Sequence, residues 1–144
     1  MEAIPKLLAI PALVGILVAF IKIVDAIAKH ELSWKTFTAY GGMPSFHTAF
    51  VVSLTTVVGM NEGIDSAAFA IAAIFSMIVI RDAMGFRRYI GAQARIVNSL
   101  TAVKKTQMKA LEPLEERVGH TPLEVLMGGI IGFVLSASLY LILP

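Results

Sequence analysis

Two histidines stand beside residues that suit an imidazole for phosphate chemistry. The first is His47, in the stretch GGMPSFH at 41–47. The glycine pair permits a tight backbone, and Pro44 or Ser45 is placed to open a helix, because proline fits the first turn and serine caps it. A helix start offers free N–H groups and a partial positive charge, which suits a bound phosphate. His47 then falls in the first turn and faces such an anion. The plainer reading makes Ser45 only a cap and His47 an interfacial histidine.

The second is His120, in RVGHTPLE at 117–124. Thr121, Pro122 and Glu124 make a capping-box pattern, T-x-x-E with proline at the first helical position. In such a box the glutamate reaches back toward the residues just before the helix, where His120 lies. A carboxylate beside an imidazole orients it and raises its basicity. The capping and catalytic readings of Glu124 are therefore compatible. A third cluster, RDAMGFRR at 81–88, crowds Arg81, Arg87 and Arg88 at a helix end. Guanidinium forks grip phosphate oxygens bidentately. Asp82 is placed to anchor one arginine, or to bind a metal. Membrane topology by itself also accounts for arginines at a span end.

Histidine can act as nucleophile through a phosphohistidine and as general acid, so two histidines with arginines point to phosphoryl transfer. Zinc on His47, His120 and a carboxylate is disfavoured, because no H-x-x-x-H or clustered ligand spacing occurs. With no cysteine in the chain, disulfides, thiolate metal sites and cysteine nucleophiles are excluded. The net charge of +2 does not imply nucleic acid.

These groups must be held by membrane helices. The 144 residues are 57% hydrophobic and 15% charged, with a mean hydropathy of +0.79. A soluble domain carries about 25% charged residues. Apolar runs at 7–21, 46–60, 67–80 and 123–143 predict an all-α integral membrane protein with about four spans, near 5–27, 45–60, 64–81 and 122–143. The second and third are short, so their ends must lie near headgroups or inside protein. Tyr89, Ala92, Ile96, Val97, Leu100 and Val103 recur at helical spacing. They predict an amphipathic segment near 86–110, continuing the third helix or lying on the membrane surface. Pro113 and LEPLEERVGH read as a turn before the last span. Neither an internal repeat nor a linker divides the chain.

Four spans place eleven of the twelve Lys and Arg residues on one face, in loops 22–45 and 81–121, and only Lys6 on the other. This asymmetry puts both long loops in the cytoplasm and both termini outside, in what would be a bacterial cytoplasmic membrane. Trp34, Tyr40 and Tyr89 flank the spans on that face, where aromatic belts form. A signal peptide ending at AIA, 26–28, fits poorly because Lys22 and Asp25 precede the cleavage position. All three polar clusters thus lie at the cytoplasmic ends of spans.

GGMPSFHTAF, DAMGFRRYIGAQARIVN and GHTPLEVLMGGIIG together resemble the signature segments of the divergent type-2 phosphatidic acid phosphatase family, acid phosphatase/vanadium-haloperoxidase-related membrane proteins. The resemblance runs from about residue 7 to 143. The wider superfamily carries K-x6-R-P, P-S-G-H and S-R-x5-H-x3-D, works without metal, and often removes phosphate from lipids. PSFH at 44–47 is similar to the second motif, with Phe46 for glycine. That implies His47 as the acid protonating the leaving oxygen and Ser45 as a phosphate ligand. HTPLE at 120–124 is similar to the end of the third, with Glu124 for aspartate. That implies His120 as nucleophile and Glu124 as its orienting carboxylate.

There are departures. Leu114 stands where the third motif has arginine, with Arg117 three before His120, and no K-x6-R-P precedes PSFH. A phosphate clamp of Arg81, Arg87, Arg88 and Lys35, with Asp82 orienting an arginine, rests on charge and location alone. Superfamily members usually have about six spans where membrane-bound, so four can need a second subunit. GGIIG at 128–132 offers a G-x-x-x-G face for such a homodimer, or for close packing within one subunit. The resulting expectation is a metal-independent, cofactor-free lipid phosphate phosphatase. Its alternative is a non-catalytic protein that binds or moves phospholipid headgroups.

Overall fold

The structure is a computed structural model that describes residues 6–28, 30, 42–103, 113–116 and 118–143. Lys35, Trp34, Tyr40, Arg117 and the 104–110 end of the amphipathic segment lie outside the described residues. Five helices are present among them and no strand: α1 Lys6–Ala28, α2 Phe46–Glu62, α3 Ala67–Met84, α4 Phe86–Val103 and α5 Pro122–Ile142. At 1.5 Å per residue α1 and α5 reach about 35 and about 32 Å, enough for a hydrocarbon core of about 30 Å. α1, the α3–α4 run and α5 are long and apolar enough to cross a membrane. The sequence count of about four spans included α2, which has 17 residues. α2 is the central helix, packed against α1, α3 and α5.

The packing is that of helices in lipid. Leu, Ile, Phe and Met side chains face outward on α1, α3 and α5, including Leu8, Phe20, Ile71, Phe75, Leu126 and Phe133. On α3 and α5 most of the residues turned inward are small, Ala72, Ser76 and Ala83 on α3 and Gly128, Gly132 and Ser136 on α5, while α1 and α2 supply the branched core residues Ile10, Val14, Val18 and Val57. Helices in a bilayer gain little by hiding leucine from lipid, so contact rests on close backbone approach and interhelical hydrogen bonds. A Cβ on Gly128 would stand 2.6 Å from the Ser45 carbonyl oxygen. One on Gly132 would run into the Ala49 carbonyl oxygen. The G-x-x-x-G face of α5 is thus used inside the chain, against α2. On the other side of α2, the Thr55 and Ser76 hydroxyls are 2.7 Å apart. Ser76 also donates to the Val51 carbonyl at 3.0 Å.

The two ends of the bundle differ. At one, Lys6 Nζ donates to the Leu143 carbonyl at 2.7 Å, and Tyr140 Oη donates to the Met60 carbonyl at 3.3 Å. At the other, α1 and α3 end where α2 and α5 begin. The stretch before α5 is not the turn expected from Pro113. Residues 113–116 and 118–120 instead form a strap running antiparallel along α4. Asn98 donates to the Leu114 carbonyl and to Glu116 Oε1, both at 2.9 Å, and accepts from the Leu114 N–H at 2.9 Å. Arg95 pairs with Glu116 at 3.4 Å. Gly91 and Gly119 let the backbones touch: a Cβ on either would strike Glu116 O or Arg88 N. The strap ends with the His120 N–H on the Ala83 carbonyl, 2.9 Å away.

Candidate functional site

The site lies at that second end. Ser45 is the N-cap of α2, and Pro44 lies outside the helix. The Ser45 hydroxyl accepts from the Thr48 N–H at 3.4 Å and is 2.9 Å from the Thr48 hydroxyl. Gly42, at φ +93°, turns the chain into this cap. The Ser45 N–H then donates to the Glu124 carbonyl at 3.1 Å, which fixes the start of α2 against the start of α5. Gly128 makes that approach possible. His47 stands in the first turn of α2, with the N–H groups of Phe46 and His47 lacking intrahelical acceptors by helix geometry.

His120 is brought to the same place by the strap. The His47 and His120 ring centroids are 6.4 Å apart. His120 is 2% exposed, and its Nδ1 is 3.2 Å from Glu124 Oε2. The same Oε2 accepts the Thr121 N–H at 2.9 Å, completing the capping box. One carboxylate oxygen therefore caps α5 and holds the imidazole. With Nδ1–H donating to the Glu124 carboxylate, Nε2 keeps its lone pair for an electrophile. Burial pulls the His120 pKa below its ordinary value. Glu124 opposes that shift, while Lys22 and Arg87 reinforce it. His47 Nδ1 is buried with no hydrogen-bond partner among the described residues.

Of the three arginines, Arg87 is the one whose charge acts on both imidazoles. Its Nε donates to Asp82 Oδ2 at 2.9 Å, so Asp82 orients it. Arg81 and Arg88 are exposed, with the Arg88 stem lying against Gly119. The structure thus gathers Ser45, His47, Arg87, Asp82, His120 and Glu124, and leaves Arg81 and Arg88 at the rim. It adds Lys22, which the sequence reading counted only for topology. Lys22 acts electrostatically on both imidazoles and on Glu124. Its Cε lies 3.9 Å from where a Gly42 Cβ would stand. No local signal in the sequence separates it from the other basic residues at span ends. No group of three His, Asp or Glu able to hold a metal ion occurs among the described residues.

This arrangement sets two imidazoles, two cations and a helix start at one end of the bundle, a set of groups able to bind an oxyanion. Comparison with known proteins agrees with the sequence resemblance. The model of the Divergent PAP2 family matches residues 5–135. A relative from Bacillus subtilis (strain 168), named uncharacterized membrane protein YuiD, is 37% identical over 128 residues, covering 81% of each chain. No solved structure matches significantly.

Proposed function

The chain belongs to the Divergent PAP2 family, and from that premise we propose that it hydrolyses the phosphate monoester of a membrane lipid at the end of the bundle holding His47 and His120. The carrying observation is the 6.4 Å between the two ring centroids, with Glu124 on Nδ1 of His120. The substrate tail stays in the bilayer and its phosphate enters between Lys22, Arg87 and the start of α2. His120 Nε2 attacks phosphorus while the ester P–O bond breaks, and a ring nitrogen of His47 gives its proton to the departing alkoxide. Water, deprotonated by His47, then displaces His120 and releases phosphate. Each charge-assisted contact contributes about 1.5–3 kcal/mol. Lys22 and Arg87 together thus account for a substantial part of transition-state stabilisation.

The distribution of basic residues supports a cytoplasmic position for this end, with both termini outside. The test is phosphate release by purified protein from a panel of lipid phosphate monoesters, without added metal. His120→Ala and His47→Ala should each slow release by at least about 100-fold, the low end for positioned acid–base groups. The exposed Arg81 and Arg88, and Leu114 in place of a motif arginine, favour the second reading, a headgroup-binding protein without catalysis. Binding of lipid phosphate with no release from any substrate would establish that reading instead, and equal rates in both variants and the parent would remove the two histidines from the chemistry.

A further inference from the structure

One face of α4 is apolar and uncovered. Phe86, Tyr89, Ile90, Ile96, Val97 and Leu100 are each exposed, Val97 least at 43% and Tyr89 most at 73%. On a helix of 3.6 residues per turn they fall within an arc of about 120°. The opposite side holds Gly91 and Asn98 against the strap that ends in His120, with Ala94 buried beside them. No described residue covers the apolar arc.

We infer that this face is seated in the headgroup–acyl boundary of a bilayer containing anionic lipid, so that α4 lies along the membrane surface and the bilayer itself supports the His120 strap. Three features choose lipid as the occupant. The face follows the outward apolar surface of α3 directly in the chain, with only Gly85 between the helices. Residues 86–103 contain Arg87, Arg88 and Arg95 and no acidic residue, which matches anionic headgroups. Tyr89, the most exposed of the six, has the amphipathic ring that favours the interface. This inference does not depend on the phosphatase reading.

The test uses spin labels on the full chain, which has no native cysteine. Val97→Cys and Leu100→Cys lie on the apolar arc; Ser99→Cys lies outside it and serves as the water-facing reference. Each labelled protein is reconstituted into vesicles of phosphatidylcholine and phosphatidylglycerol. Accessibility to oxygen, which concentrates in lipid, is compared with that to a water-soluble nickel chelate. Labels at 97 and 100 should collide more with oxygen, and the label at 99 more with nickel. Two results overturn the inference: labels at 97 and 100 shielded from both reagents, as a second copy or another protein would make them, or labels open to nickel. Neither depends on whether phosphate is released.

Discussion

At His120 burial and the Glu124 carboxylate act in opposite senses, and burial prevails, so the imidazole is neutral at neutral pH. A neutral ring is what a nucleophile requires. Phosphate release should therefore fall on the acid side only below the ordinary histidine value of about 6.5. Glu124→Gln removes the influence that raises the pKa. The acid limb should shift further down while the rate drops through lost orientation; an unmoved limb in the pH–rate profile would show that Glu124 does not act on His120. Stability is linked with the same sign. Because the folded pKa is depressed, this contribution is present above about pH 6.5 and is lost as pH falls toward the folded value. For Lys22→Ala, loss of one charge-assisted contact should lower kcat/KM by about tenfold to about a hundredfold. Steady-state kinetics on a lipid phosphate would measure it.

At the scale of elements, the contact of α2 with α5 decides whether the two histidines meet. Gly132 lies one turn deeper than Gly128, against Ala49 rather than Ser45. Gly132→Ala should chiefly cost stability, about 1–3 kcal/mol as for overpacking elsewhere, seen as a lower melting temperature in detergent. Gly128→Ala pushes on Ser45, which caps α2 at the proposed phosphate site. Its rate should fall by more than its stability change explains. Equal losses of rate in the two variants at matched stability would place no special weight on Ser45. The interhelical Thr55–Ser76 contact is expected to matter less, since such bonds in membranes average about 0.6 kcal/mol.

For the whole molecule, one chain brings the gathered groups together, so a dimer is not needed to assemble them. The G-x-x-x-G stripe that would serve a dimer is occupied by α2. Charge is segregated along the bundle axis. Lys6 lies at the end with Leu143 and Tyr140, while Lys22, Arg87 and the rim arginines lie at the other. A membrane-impermeant thiol reagent on right-side-out cells should label a cysteine placed at Asn61 and miss one placed at Ser99; the reverse would invert the proposed orientation. A chelator should leave phosphate release unchanged.

Local chemistry made much of this legible in sequence. The capping box and the Ser45 cap follow from residue type, and span ends expected near 27, 60, 81 and 143 from hydrophobic run length lie within about three residues of the helix ends at 28, 62, 84 and 142; both depend on near neighbours. Other features depend on contacts across the chain. Lys22 looked like one more basic residue at a span end until α1 was packed beside the Gly42 turn. Arg87 could not be separated from Arg81 and Arg88 by sequence, because a helix end and the bend at Gly85 determine which of the three turns inward. The strap was hidden for the same reason: Asn98 and Glu116 signal nothing locally, and their bonds exist only once α4 and residues 113–120 lie antiparallel. Hydrophobicity and capping are written in consecutive residues, but the meeting of two imidazoles is set by how closely backbones can approach, and only the packed tertiary structure decides that.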